Sequence, residues 1–180
     1  MIVEAAARIL ETRGLEGYNT NAIAERAGVS IGSVYQYFPN KDALTLALIG
    51  NFERELLEIV RTAIATADRR DLRMSLKSIV RALLDAHGRR ARLNRILETE
   101  EERLRQSMPD HSAADELKTL IAALLTKHRT ELSGAVDADI VDDVLVIVRA
   151  MVDAAFRSEV AHPAAACRIL RAVEGYLRWH

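Results

Sequence analysis

The sequence is poor in the residues that cross-link a chain or turn it sharply. It contains one cysteine, so no disulfide can form within the chain, and a lone thiol suits a reducing cytoplasm. Prolines number 3 and glycines 8 in 180 residues, and aromatic residues make up 4%. Apolar runs are shorter than a membrane span, and the N-terminal segment lacks the pattern of a signal peptide. We therefore expect a cytoplasmic protein without a membrane segment.

The sequence also lacks an excess of positive or negative charge. The 25 Lys and Arg residues nearly balance the 26 Asp and Glu residues, so the net charge of −1 identifies no partner. Hydrophobic residues make up 49% of the chain, which is enough to form a real core. They recur at intervals of three and four, and no long stretch alternates at two. This period predicts an all-α protein.

We predict nine helices in two domains. A three-helix domain covers residues 1–42, and a six-helix domain for effector binding and dimerisation covers residues 43–180. Gly14 is placed to end the first helix, Thr20 and Ser30 to cap the next two, and Gly28 to form the turn between them. The expected helices are Ile2–Arg13, Asn21–Ala27, Ile31–Tyr37, Lys41–Thr66, Leu72–Gly88, Arg90–Gln106, Ser112–Leu132, Ala138–Ala161 and Pro163–Trp179.

The last two expected helices carry more apolar surface than one chain needs. The eighth is apolar around most of its circumference, and the ninth has one continuous apolar face. A helix that is apolar on two sides needs neighbours on both. We therefore predict a homodimer through helices eight and nine, as a four-helix bundle across a two-fold axis. Cys167 is interpreted as a small buried residue of this interface, with a redox switch as the alternative.

The segment GVSIGSVYQYFPNK, residues 28–41, predicts a helix-turn-helix with its recognition helix. Small residues at Gly32 and Ser33 would let the helix backbone approach DNA closely. Tyrosine hydroxyls can donate to phosphates, and the Gln36 amide suits a base edge, adenine in particular. A cation at the start of the fourth helix favours a phosphate. The three aromatic residues of the segment are Tyr35 and Tyr37, interpreted as phosphate contacts, and Phe38, interpreted as core.

The pattern T-x-x-I-A-x-x-A-G-V-S-x-G-x-x-Y-x-Y-F-x-x-K-x-x-L, residues 20–44, resembles the DNA-binding domain of the TetR family of bacterial transcriptional regulators. The resemblance implies a ligand-responsive repressor that binds a palindromic double-stranded DNA operator as a dimer. By position it implies phosphate contacts from Thr20, Tyr35, Tyr37 and Lys41, and major-groove positions at Asn21, Ser30, Ile31, Ser33 and Gln36. Family members carry a basic arm before the first helix, whereas the printed sequence opens at that helix, so no arm contacts are assigned.

A small-molecule effector would lie among helices four to eight in such a fold. Polar residues that interrupt apolar stripes, together with two phenylalanines, are the predicted lining. The ligand-binding candidates are Phe52, His87, Glu100, Glu101, His128, Arg149 and Phe156. Each has an alternative interpretation. The histidines cap helix C-termini or reach solvent, the arginine pairs with Asp153 or across the dimer, the glutamates belong to a solvated face, and the phenylalanines pack in the core. Few aromatics in this half favour a mostly aliphatic ligand.

Other functional classes have less support. The sequence shows no nucleophile elbow, phosphate loop or His-Glu metal motif, so we expect no enzyme. A His/Glu metal site is an alternative interpretation, but no ligand pair has tight metal spacing, so no metal and no cofactor is predicted. A helical ligand-binding or scaffold module without DNA binding is the alternative function. The first fifty residues keep it open, because they hold 4 Lys and Arg against 5 Asp and Glu.

Overall fold

The structure of the chain, a computed structural model, describes residues 1–67, 71–107, 112–132, 134–156 and 164–179. These residues form nine α-helices and two short 3-10 helices, with no strand among them, which confirms the all-α prediction. No helix in the described part combines the length and apolar character needed to cross a membrane. The α-helices are α1 (Ile2–Gly17), α2 (Thr20–Ala27), α3 (Ile31–Tyr37), α4 (Lys41–Thr66), α5 (Leu72–Arg89), α6 (Ala91–Leu104), α7 (Ser112–Lys127), α8 (Ala138–Ala155) and α9 (Ala165–Trp179).

Local capping explains most of the helix boundaries at the N-terminal end. Gly14 has a φ of 67° and interrupts α1, so the regular helix ends at Arg13 as predicted and one further turn follows. Gly28 is left-handed at the end of α2, with a φ of 66°. The Ser30 hydroxyl accepts from the Ser33 N–H at 3.0 Å and caps α3. These three boundaries therefore follow from residues within a few positions of each other.

The predicted cap of α2 was wrong by one position. Thr20 is the first helical residue, and Asn19 is the cap: its backbone is extended and its Oδ1 accepts from the Ala22 N–H at 2.9 Å. Asn and Thr both cap well, so propensity alone did not choose between adjacent residues. The outcome matters for function, because it frees the Thr20 hydroxyl for another partner.

Two later helices are shorter than expected. The helix α7 ends at Lys127, five residues before the predicted end, and a 3-10 turn over Arg129–Glu131 follows it. His128 leaves the helical region with a φ of −105° and a ψ of 21°. The helix α8 ends at Ala155, where Phe156 takes a φ of −106°. The predicted continuation to Ala161 and the start of the ninth helix at Pro163 lie outside the described residues.

The chain forms two compact units. The first consists of Met1–Glu53 and Arg90–Asp110, so α6 packs with the helix-turn-helix helices although it is distant in sequence. Its core contains Leu93 and Leu97 of α6 beside residues of α1, α2 and α4. The buried members from those three helices and the loop after α1 are Ala5, Ala6, Ala7, Ile9, Leu10, Tyr18, Ile23, Leu44, Leu48 and Ile49.

The second unit consists of Arg54–Arg89 and His111–His180, and it contains the last part of α4 with α5, α7, α8 and α9. The helix α9 packs against both α5 and α8. Its buried face is Ile169, Leu170, Val173 and Leu177, which matches the apolar face predicted for the ninth helix. The functional boundary after residue 42 stays a prediction.

Candidate nucleic-acid interface

Two completely buried side chains set the position of α3 in the first unit. Ile23 of α2 and Val34 of α3 are both 0% exposed. Val34 is the one fully buried residue of this seven-residue helix. Since a single side chain anchors α3 inward, the rest of its short surface is turned toward solvent.

The outward surface of α3 carries large side chains. Ile31, Tyr35 and Tyr37 are 41%, 49% and 69% exposed. Gln36 lies between the two tyrosines in sequence and is also exposed. Exposed apolar and aromatic side chains that sit together mark an interaction surface. The residues predicted to contact DNA on α3 therefore face solvent together.

Small residues occupy the first turn of α3. Gly32 is exposed, and a Cβ placed there would meet only the Ser30 Oγ at 3.6 Å. The hydroxyls of Ser30 and Ser33 lie 2.9 Å apart. Ser30 therefore caps the helix, and its hydroxyl contacts that of the half-buried Ser33. The predicted major-groove residue Asn21 is likewise exposed, on the first turn of α2.

A hydroxyl pair joins the start of α2 to α3. The Thr20 Oγ1 and the Tyr35 Oη lie 3.3 Å apart. Both residues were predicted to contact phosphates, and the structure places their hydroxyls within one hydrogen bond of each other. Two adjacent hydroxyl groups can share one phosphate oxygen, which would fix the register of the helix-turn-helix.

Lys41 begins α4 beside a buried tyrosine that the sequence analysis missed. Its Nζ lies 5.7 Å from the centre of the Tyr18 ring, a cation-π distance. The Tyr18 hydroxyl lies 3.2 Å from the Thr45 hydroxyl in the core. Burial raises the pKa of Tyr18 to about 12, against the opposing effect of the Thr45 hydrogen bond. The ring therefore stays neutral and holds the lysine stem at the first turn of α4.

An ion-pair network also reaches this turn from α6. Arg103 donates to Asp42 at 2.6 Å and to Glu100 at 2.6 Å. Glu100 is 6% exposed, so its carboxylate is buried and depends on this arginine. The hydrogen bond from Arg103 is the main reason why the pKa of Asp42 is lowered. We call these three residues the α4–α6 bracket; nothing in the sequence pattern indicated it.

The predicted effector residues are distributed over both units. In the first unit Phe52 and Glu101 are half-buried, and Glu100 is buried in the bracket. In the second unit the rings of His87 and Phe156 stack with centroids 4.7 Å apart. His128 and Arg149 are distant from that stack in the sequence. His128 is buried, and its Nδ1 lies 2.6 Å from a carboxylate oxygen of Glu131. Arg149 is exposed on α8. Their role in binding stays a prediction.

The second unit has a groove of about 330 Å³ that the sequence analysis did not identify. Its floor is apolar, and Arg61 and Lys127 supply two cations. Arg61 pairs with Glu116 at 3.0 Å. The lining comes from α4, α5 and α7 and consists of Arg61, Ile64, Ala65, Ser75, Leu120, Ala123, Leu124 and Lys127. None of the predicted effector residues is among them.

A family model matches the N-terminal part of the chain. Residues 2–48 match the family model described as bacterial regulatory proteins, tetR family. This N-terminal part of the chain is similar to the tetR family of bacterial regulatory proteins. The match begins at the first helix and ends within α4, so it covers the α2–α3 pair and the Lys41 turn. The resemblance predicted from residues 20–44 is confirmed.

Two curated relatives are similar to part of the chain. The HTH-type transcriptional repressor KstR of Mycolicibacterium smegmatis is 38% identical over 65 residues, which are 36% of this chain and 32% of KstR. The HTH-type transcriptional regulator BetI of Burkholderia cenocepacia (strain HI2424) is 33% identical over 84 residues, 47% of this chain and 43% of BetI. The chain thus matches less than half the length of either. Both are named as regulators of transcription and not as enzymes.

Two solved structures share the fold over nearly the whole chain. A TetR-family transcriptional regulator from Streptomyces coelicolor has a TM-score of 0.73 at 24% identity, covering 98% of this chain and 95% of that one. The fatty acid degradation regulator FadR from Bacillus halodurans has a TM-score of 0.76 at 18% identity, covering 98% and 92%. At this identity the likeness establishes the fold alone.

Proposed function

We propose that the chain is a DNA-binding transcriptional regulator. In this proposal it binds a palindromic operator as a homodimer and acts as a repressor that a small molecule releases. The outer face of α3 carries the proposal, because Tyr35 and Tyr37 are 49% and 69% exposed beside an exposed glutamine. A short helix held by one buried valine and capped by a serine suits insertion into a major groove.

The proposed contacts divide into two groups. Thr20, Tyr35, Tyr37 and Lys41 bind phosphates and set the register. Base edges are read from the first turns of α2 and α3, where Gln36 is the residue best suited to adenine. In a dimer the two α3 helices would enter successive major grooves, about 34–36 Å apart. We further propose that residues 1–42 bind DNA while residues 43–180 bind the effector and the second subunit.

The primary experiment is selection of binding sites from random double-stranded DNA, followed by affinity measurements across a salt titration. We expect a palindromic site and an affinity that falls steeply with salt, because phosphate contacts release counterions. Full-length protein that selects no site at low salt would overturn the proposal. That result would favour the alternative, a helical ligand-binding or scaffold module, which the near-neutral charge of the first fifty residues also suits.

Substitutions on the proposed surface separate the two kinds of contact. Tyr37→Phe removes one hydroxyl and Lys41→Gln removes one charge, so each should weaken binding to all sequences, and Lys41→Gln should also flatten the salt dependence. Gln36→Ala should instead relax the base preference at one position of each half-site. Arg81→Gln, an exposed cation of α5, is the matched control and should bind as the parent does. If Lys41→Gln and the control changed DNA affinity equally, Lys41 would not be part of the proposed DNA interface.

The proposed effector lies in the larger domain. The groove of the second unit supports an amphiphilic ligand, since Ile64, Leu120 and Leu124 offer an apolar floor and Lys127 a cation. The stacked His87 and Phe156 offer another contact for a mostly aliphatic molecule. A ligand that releases operator DNA must bind the DNA-incompetent state more tightly.

Two sets of substitutions test these two places. Once an effector is found by its release of operator DNA, Lys127→Glu should weaken the response to an anionic effector bound in the groove. His87→Ala combined with His128→Ala tests the predicted polar contacts instead. An unchanged effector response and unchanged stability of the double variant would exclude the two histidines.

A further inference from the structure

One exposed residue of α3 is aliphatic. Ile31 is 41% exposed, whereas the other exposed side chains of this helix are aromatic or polar. An isoleucine side chain can neither donate a hydrogen bond to a base edge nor accept one from it. The contact that it can make with DNA is therefore apolar. Its branched Cβ restricts χ1, so its methyl groups are held in few positions before any partner binds.

The position of Ile31 around α3 follows from the buried anchor of the helix. Successive helical residues are about 100° apart, so Ile31 lies about 60° from Val34 and Tyr35 about 100° from it, on the same flank. Gly32 and Gln36 lie opposite Val34 and form the outermost strip. Ile31 and Tyr35 are thus neighbours one turn apart on a flank beside that strip.

A polar contact fixes the direction of this flank. The Tyr35 Oη lies 3.3 Å from the Thr20 Oγ1, so the tyrosine ring extends toward the first turn of α2. These two hydroxyls form the proposed binding site for one phosphate. Ile31 comes one turn earlier on the same flank, about 6 Å along the helix axis. With α3 along a major groove, at about 3.4 Å per nucleotide, Ile31 lies over a base one or two nucleotides from that phosphate.

The apolar group that unmodified DNA presents in the major groove is the C5-methyl group of thymine. Across the groove this methyl group lies nearer to its own strand than the O4 oxygen does. A side chain on the flank of α3 would meet the methyl group, whereas Gln36 on the outer strip would meet the hydrogen-bonding edges. Among the described residues, the atom nearest to a Cβ added at Gly32 is the Ser30 Oγ at 3.6 Å, so the space beside Ile31 is open to a base.

We propose that Ile31 is a specificity-determining residue that contacts the C5-methyl group of one thymine in each operator half-site. This thymine lies on the strand whose phosphate the Thr20 and Tyr35 hydroxyls bind. The inference rests on the DNA binding of the proposed function and adds the base that an apolar residue selects. Thymine is preferred over cytosine at this position, because unmodified cytosine lacks the methyl group.

Deoxyuridine tests this contact, because it differs from thymidine only by the missing C5-methyl group. Operator duplexes selected from random DNA are prepared with deoxyuridine in place of thymidine, at one position of both half-sites at a time. At one position the parent chain should lose about fourfold in affinity per half-site, the effect of removing one methyl group from an apolar contact. Fluorescence anisotropy of the labelled duplexes measures each dissociation constant.

Substitutions at Ile31 complete the comparison. Ile31→Ala should bind the unmodified operator more weakly than the parent does and should not distinguish it from the deoxyuridine duplex. Ile31→Val keeps a branched side chain and should keep most of the discrimination. Met74→Ala is the matched control, because Met74 is 44% exposed on α5, and it should match the parent on both duplexes. Every variant should remain folded, since Val34 and not Ile31 anchors α3.

A methylphosphonate linkage, which carries no charge, locates the bound phosphate. The linkage that abolishes the effect of Thr20→Val on affinity marks the phosphate that the hydroxyl pair binds. The thymine that responds to deoxyuridine should lie on the same strand, within about two nucleotides of this linkage. A responsive thymine on the other strand would contradict the strand assignment.

The outcomes separate this inference from the proposed function. A full-length chain that selects no operator at low salt overturns both. A selected half-site without thymine, or an operator that binds equally well with deoxyuridine at every position, overturns the role of Ile31 alone. A deoxyuridine effect that persists in Ile31→Ala also overturns it, because the methyl group would then act through another residue or through the DNA itself.

Discussion

The helix-turn-helix and the α8–α9 pair both expose apolar or aromatic side chains, but they do so for different physical reasons. On α3 the exposed tyrosines belong to a helix so short that one buried valine anchors it. On α8 the exposed Val146 belongs to a long helix whose opposite face is already buried by its own chain. The first surface is made by local turns and caps, and the second is left over after packing. Exposure alone therefore does not separate a DNA-reading surface from a subunit interface.

Two valines test this difference most strongly, because the same substitution should act on different equilibria. Val34→Ala removes packing from a side chain that is 0% exposed and should lower the free energy of unfolding by about 2 kcal/mol. Val146→Ala should change the unfolding of the isolated subunit by less than about 0.5 kcal/mol and act on dimer formation instead. Urea unfolding and sedimentation of both variants check this. Equal effects on unfolding would mean that Val146 is anchored much as Val34 is.

The α4–α6 bracket should show how far the reading surface depends on a distant helix. Arg103→Gln leaves the buried Glu100 carboxylate without its partner, which should cost about 1 kcal/mol of stability. It also frees the first turn of α4, so operator affinity should fall about fivefold as Lys41 loses its fixed position. Affinity and unfolding are measured together. Arg105→Gln, which breaks an exposed pair with Glu102, is the control and should leave both unchanged.

Two tyrosines, one in each unit, have a pKa near 12 for different causes. Burial is the main cause at Tyr18, whereas the hydrogen bond to Asp143 is the main cause at Tyr176. Asp143→Asn should therefore return the pKa of Tyr176 toward its ordinary value and leave Tyr18 unchanged. Ultraviolet absorbance titration of Tyr18→Phe and Tyr176→Phe chains assigns each transition. A shift at both tyrosines would contradict the separate causes.

Tyr18 also sets a stability change at high pH. Its pKa is raised in the folded state from 10.0 to about 12, so its contribution is complete below pH 10 and is lost as pH rises toward 12. Tyr18→Phe should remove this decline.

Asp42 acts at acid pH: its lowered pKa adds stability above its unfolded value, about 4, and this stability is lost as pH falls further. Urea unfolding across both pH ranges, with Asp42→Asn for the acid side, measures the two effects.

The hydroxyl pair of the helix-turn-helix should have the smallest effect. Thr20→Val removes one of the two hydroxyls that lie 3.3 Å apart and should weaken operator binding about two- to threefold. The fold should persist, since Asn19 and not Thr20 caps α2. Thr119→Val, on an exposed turn of α7, is the matched control. An unchanged operator affinity would mean that the Thr20 hydroxyl does not contribute to DNA binding.

The structure bears out the sequence-based predictions most closely where the deciding contacts are short-range. Gly28, Ser30 and the bounds of α3 and α4 were all predicted, because caps and turns depend on residues a few positions apart. The predicted cap of α2 was wrong by one residue, since Asn19 and Thr20 have similar N-cap propensity. The predicted end of α7 was wrong because the helical period of apolar residues continues past the residue at which the backbone leaves the helix.

Long-range features were not predictable in the same way. Arg103 and Asp42 are separated by 61 positions, and no motif links them. The return of α6 to the first unit and the groove of the second unit follow from how whole helices pack. Helical period tells which face of a helix is buried, but not which other helix covers it.

The sequence alone therefore determined the helical class, the Gly28 turn, the Ser30 cap and the Tyr-Gln-Tyr surface of α3, because each depends on local geometry that a few residues specify. Tertiary structure decided which residues support that surface. It placed Tyr18 beside Lys41, brought Arg103 to Asp42, and left Val146 exposed on α8. Those contacts join residues distant in the chain, and they form only when complete helices bury their apolar faces against one another.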